Sequence, residues 1–227
     1  MNFSIYYFTL VFTVSSSAVF AQSFKYTSPE SAEFKPVEVK TNDALNQAQT
    51  LGEICGYTKA YFSKDELQAL LKLSGCVGLR IYNAKESDKQ TNCDVIAVAI
   101  NSSGKEIGPV FGNKYLHAKS YDENTSCTSK KLSQSKARDF VIKVANSQLE
   151  YQKVFFSKDL IDKRLNTEGS AGVAIIPGKN GSQTTILTTG ANLVKGKISE
   201  VEAKYYKSQL PCPTHCGDTS QYLVSPN

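Results

Sequence analysis

Five residues near the end of the chain, Cys212-Pro213-Thr214-His215-Cys216, bring two thiols and an imidazole together. That donor set suits a soft metal such as Cu(I) or Zn(II). In an oxidising compartment the same two thiols close into a structural disulfide, which is the preferred reading and requires no cofactor. Copper or zinc held by Cys212, His215 and Cys216 is the alternative. Cys55, Cys76, Cys93 and Cys127 complete an even set of disulfide candidates, whose connectivity the sequence leaves open. Cys76 and Cys93 open two strands expected to be antiparallel, which puts them at opposite ends of a hairpin and argues against a bridge between them. His117 and His215 are the two histidines available to activate a cysteine nucleophile. Cys76, however, heads a strand expected to be buried and reads as a core or bridged thiol. Arg80 and Tyr82 share a strand face with Gly78, whose missing side chain leaves room above the strand, so these two are the binding-surface candidates. No P-loop, dinucleotide fingerprint, HExxH, GxSxG or paired-carboxylate arrangement occurs. No catalytic residue is assigned.

Composition narrows the class further. The 227 residues are 41% hydrophobic and 21% charged, the mix of an ordinary globular protein. A net charge of +5 is spread along the chain, with Lys130-Lys131 its densest basic spot, so nucleic acid is not an expected partner. Ile5 to Val14 is a short apolar run, and Val19 and Ala21 suit a small-residue cleavage site. Residues 1–21 are therefore expected to be a signal peptide removed before Gln22. No later segment is apolar enough to span a membrane. The expected destination is the periplasm or the medium, where disulfides persist.

What must position these residues is a unit that the chain states twice. Phe62 to Tyr82 and Phe156 to Ile176 align without a gap at an offset of 94 residues, sharing Phe-Ser-Lys-Asp and two glycines (Gly75 and Gly78, Gly169 and Gly172). Ser63 with Glu66 has capping-box spacing, and Phe62 with Leu67 has that of a hydrophobic staple, kept as Phe156 with Ile161. Leu67, Leu70 and Leu71 form one apolar helix face, whereas Arg164 replaces Leu70 in the second copy and implies a more solvated helix. Gly75 and Gly169 are expected as left-handed helix stops. A strand follows each, with Val77, Leu79 and Ile81 on one face and Cys76, Gly78, Arg80 and Tyr82 on the other. Asp94 to Asn101 is apolar enough to be buried on both faces. Thr184 to Thr189 is more polar and is expected near an edge. Earlier helices are expected over Asp43 to Leu51 and from Ser133 toward Ala145. The opening of the latter recurs a third time at Ile198 to Ala203, predicting a final helix over Ser199 to Gln209.

The resulting expectation is an α+β fold. Two tandem helix–helix–β-hairpin repeats share one antiparallel sheet with helices on one face, and a C-terminal helix caps the second repeat. The expected layout is signal peptide 1–21, extended lead-in 22–40, first repeat 41–107, connection 108–131, second repeat 132–197, and capping helix with cysteine-containing tail 198–227. The segment from Tyr61 to about Lys105, with its Gly75-Cys76-Val77-Gly78-Leu79-Arg80-Ile81-Tyr82 core, resembles a recurring segment in uncharacterised proteins of Bacteroidota. The resemblance implies source and fold type and carries no activity. Its members are often cytosolic, from which the signal peptide departs. The functional expectation is an exported, non-enzymatic interaction or structural protein of the cell envelope with an unidentified protein partner. The alternative is a metal-binding or thiol-redox protein acting through Cys212, His215 and Cys216.

Overall fold

The computed structural model describes residues 36–55, 59–109, 112–121, 129–146, 153–180 and 183–207. Their first half runs β1 (Val37–Lys40), α1 (Thr41–Cys55), β2 (Ala60–Ser63), α2 (Lys64–Leu71), β3 (Cys76–Ala84), β4 (Asp94–Asn101), β5 (Glu106–Ile107) and β6 (Tyr115–Ala118). The second half repeats that order as β7 (Ser129–Leu132), α3 (Gln134–Asn146), β8 (Lys153–Ser157), α4 (Lys158–Leu165), β9 (Gly172–Asn180), β10 (Gln183–Val194), β11 (Lys197–Glu200) and β12 (Lys204–Lys207). The duplication read from Phe62 and Phe156 therefore extends over eight elements.

Local signals hold where the capping chemistry is strong. Ser63 caps α2 and forms a reciprocal capping box with Glu66, while Ser157 caps α4 and accepts from Leu160 N–H. Gly75 and Gly169 both have φ of 77°. They lie in the turn after the helix rather than at its stop, since α2 and α4 already end at Leu71 and Leu165. Leu67, Leu70 and Leu71 are buried as their spacing requires.

The architecture differs from the expected single sheet. The described residues are mostly β, forming two six-stranded antiparallel sheets, and the repeats are not helix–helix–hairpin units. One sheet has the order β1-β12-β10-β9-β2 with β11 beside β10; the other has β7-β6-β4-β3-β8 with β5 beside β4. The halves exchange strands. The β2 strand of the first half pairs with β9 of the second, and β8 of the second pairs with β3 of the first. Registers match across the exchange: Ala60 opposes Ile175 as Val154 opposes Ile81. A physical reason lies in the link between β2 and β3. A helix of eight residues is about 12 Å long, near the ~10 Å spacing of packed sheets. Each of α2 and α4 thus carries the chain from one sheet to the other.

Three other expectations are corrected. The expected helix over Ser199 to Gln209 is replaced through Lys207 by β11, a turn and β12, the last lying between β1 and β10. Tyr205 and Tyr206 alternate between opposite faces of that sheet, a period of two that overrides the capping-box spacing of Ser199 and Glu202. The expected connection 108–131 contains β6 and the start of β7. The Thr184 to Thr189 strand is not an edge: β10 has neighbours on both sides, and Thr188 and Thr189 are fully buried.

One central core joins the inner faces of both sheets with α2 and α4, and includes Phe62, Leu67, Leu79, Phe156, Ile161 and Val173. Outside it, α3 covers Tyr82, Ile96, Val98 and Tyr115, and α1 covers Ile176, Leu187 and Tyr205. Contacts reciprocate across the two halves. Lys64 Nζ donates to Leu165 O at 3.0 Å at the end of α4, and Lys158 Nζ donates to Leu71 O at 2.8 Å at the end of α2. A lysine at a helix C-terminus satisfies an orphan carbonyl and complements the dipole, which accounts for the repeated Phe-Ser-Lys-Asp lysine. Arg164 does not make α4 more solvated. It is 9% exposed, bonded to Glu202 and stacked 4.4 Å from the Tyr206 ring. No helix among the described residues is long and apolar enough to cross a membrane.

Candidate functional site

Arg80 and Tyr82, expected at a binding surface, lie in the interior. Their face of β3 is the one α3 covers, leaving Arg80 5% exposed and Tyr82 fully buried. Gly78 leaves no open space, because a Cβ there would meet the Phe155 ring and the Phe156 carbonyl oxygen at 2.4 Å. The glycine serves the close approach of β8. Arg80 Nη1 lies 3.3 Å from Glu106 Oε1, and its Nη2 donates to Gly104 O at 2.8 Å. Tyr82 donates to Glu106 Oε1 and Tyr115 to Glu106 Oε2, the latter at 2.6 Å. Lys153 is 3% exposed; burial, and then the Arg80 charge, bring its pKa down to about 6 against the pull of Glu106. A smaller version occupies the other half, where Lys59 and Tyr205 both donate to Glu200. In each cluster the lysine comes from one half and the glutamate from the other, so these are cross-links between halves.

His117 anchors a third polar group. It is fully buried, with Nε2 3.0 Å from Asp94 Oδ2, Nδ1 4.0 Å from Glu86 Oε1, and its ring edge-on to Phe140 at 5.2 Å. Asp94 Oδ1 accepts the Ser120 N–H at 2.8 Å. Burial raises the Glu86 carboxyl, but hydrogen bonds from Lys119 and Lys130 outweigh it and hold the pKa at about 2. Among the described residues no group of three or more His, Cys, Asp and Glu side chains is arranged to hold a metal.

The cysteines separate. Cys76, expected among the disulfide candidates, is a free, half-buried thiol that bonds to Gly78 O at 3.4 Å beside an irregularity in the β3–β4 register. Burial raises its pKa, which leaves it a poor nucleophile at neutral pH. Cys93 is fully buried and disulfide-bonded, with its partner outside the described residues. Cys55 ends α1, but its side chain falls outside them too, as do Cys127, Cys212, His215 and Cys216 and the signal peptide 1–21.

The open site lies where the two halves differ. A groove of about 590 Å³ runs beside α1, lined by Asp43, Asn46, Gln47 and Thr50 from the helix, by Lys179 and Lys207 from the sheet, and by the length of β1. Strand register shows what occupies the same place in the other half. Val39 opposes Tyr205 as Leu132 opposes Tyr115, and Lys207 opposes Leu187 as His117 opposes Ile96. Carried along the helices, this matches Ala44 to Ala137, Gln47 to Phe140 and Ala48 to Val141. Phe140 and Val141 are buried against the sheet and His117, so the first half puts an amide and a methyl where the second puts a ring and an isopropyl group. Gly178 lets α1 sit close at the far side, where a Cβ would lie 3.3 Å from the Gln47 backbone carbon. Ala48 is packed there, and the groove opens on the Gln47 side of the helix.

Comparison with known proteins adds no relative: no protein-family model, curated protein or solved structure matches the chain.

Sequence reasoning singled out none of the groove residues. The available signal was the repeat itself, since Gln47 stands at the position of Phe140 once the two outer helices are superposed in sequence. The stretch most alike in the two copies, Phe62 to Tyr82, builds the core instead.

Proposed function

We propose that this is an exported, non-enzymatic interaction protein of the cell envelope, and that it makes its contact through the groove beside α1. The observation that carries the reading is the divergence between halves: one position is filled by Phe140 and its counterpart is left open beside Gln47. A structural role alone is served by the filled version, which buries more apolar surface at about 25 cal/mol per Å². An open, polar groove on an otherwise packed scaffold is the arrangement of a ligand site. The part-buried Lys59–Glu200 pair fits a rigid support for such a site, since it ties one half to the other. The signal-like N-terminus and the disulfide at Cys93 support the oxidising destination.

The test refills the groove. The variant Gln47→Phe copies the other half on the groove side of α1 and is expected to keep its melting temperature within a few degrees. Immobilised full-length protein and the variant are then challenged with envelope extract. The reading predicts a component retained by the native protein and lost by the variant. Identical retention by both proteins sinks it.

A further inference from the structure

The groove's chemistry goes one step beyond that reading, on which this inference rests. Lys40, Lys179 and Lys207 line it and, among the described residues, none of the three makes an ion pair. Of the two carboxylates present, Glu38 lies 3.6 Å from Lys204 and accepts from Tyr206, which leaves Asp43 alone against three lysines. The lining therefore has a surplus of cationic donors over acceptors. Lysine offers point charges rather than the flat fork of arginine, so it attracts an anion without imposing bidentate geometry.

The Gln47 side-chain oxygen is buried away from solvent and accepts no hydrogen bond. Asn46 adds an exposed amide, while the Thr50 hydroxyl is already committed to Asn46 O at 2.8 Å. No aromatic ring lines the groove among the described residues, which leaves no platform for stacking a base or a flat apolar ring. A volume of about 590 Å³ falls within the ~300–1,000 Å³ of small-molecule sites.

We infer that the groove beside α1 binds a hydroxyl-rich carboxylate, an acidic sugar or short acidic saccharide, with Lys179 and Lys207 meeting the carboxylate and the exposed Asn46 amide meeting its hydroxyls. The other half cannot take such a ligand, because Phe140 and His117 occupy the equivalent space.

Calorimetric titration of the full chain tests this with three probes: trigalacturonate, a neutral galactose trisaccharide, and sodium sulfate. Trigalacturonate is expected to bind, with an affinity that weakens as salt rises. The neutral sugar and sulfate are each expected to bind at least tenfold more weakly. Lys179→Met with Lys207→Met should weaken trigalacturonate at least tenfold, Gln47→Phe should abolish it, and Lys89→Met, outside the groove, should change nothing. Circular dichroism melts verify that each variant is folded. Equal binding of the acidic and neutral sugars, equal binding of sulfate, or insensitivity to both groove variants overturns the inference. If trigalacturonate fails to bind while the filled variant still loses its envelope component, the ligand class is wrong and the groove remains the contact site. If both fail, the functional reading falls with it.

Discussion

Replacing Lys153 by Met should make the protein more stable, and the gain should depend on pH in a defined direction. Lys153 is 3% exposed beside Arg80, and burial followed by that neighbouring charge brings its pKa to about 6. In the unfolded chain it titrates near 10.4. Between those values the unfolded state holds a proton that the folded state does not, so stability rises with pH. The slope approaches about 1.4 kcal/mol per pH unit, or about 2–3 kcal/mol between pH 6.5 and 8.5. Below pH 6 the folded state carries the buried charge and the full cost is present. Lys153→Met removes the charge and keeps most of the volume, so at pH 6.5 it should be the more stable protein by several kcal/mol, an upper bound set by relaxation around the amine. Urea unfolding of both proteins at half-unit pH steps measures this, and the difference curve cancels groups that titrate alike in both. A difference that is flat over the interval, or a variant less stable than the native chain, would falsify the assignment of a neutral buried amine.

Other expectations follow from the same contacts. Acid should remove stability through Glu86: its depressed carboxyl stabilises above about pH 4.5, and the contribution, about 1 kcal/mol after screening, fades as pH falls toward 2. Glu86→Gln should flatten that part of the acid unfolding curve. Phe62→Ala should cost about 3–5 kcal/mol, and Phe156→Ala a similar amount, because both rings sit in the shared central core; chemical denaturation showing one of them silent contradicts the two-sheet core. Lys64→Met and Lys158→Met should each cost about 1 kcal/mol and raise amide exchange at the last turn of the opposite half's helix, α4 and α2 respectively. Exchange rising only at each lysine's own helix would refute the reciprocal capping.

The repeat, the caps and the strand faces were legible in the sequence because they are local. Ser63 and Glu66 meet three residues apart, and β4 at Asp94–Asn101 announces itself as an unbroken apolar run. Even the sorting of Leu79 and Ile81 from Tyr82 follows from a period of two. What lay on the Arg80 and Tyr82 face was not legible, because alternation says which residues share a side and nothing about what covers it. Partner choice was likewise out of reach. β2 and β8 are near copies, and nothing local in either says that each pairs with the other half's hairpin. The closing segment shows the same limit, since its capping-box spacing yields to the place that β12 fills between β1 and β10. The groove is the clearest case: Gln47 and Lys207 lie far apart in the chain, and only the fold brings them to one groove, where the other half packs Phe140 on His117. Sequence alone determined the duplicated unit and its local geometry. Tertiary structure decided which copy completes which, and where the two copies stop being alike, because pairing and cavity volume are set by non-local packing.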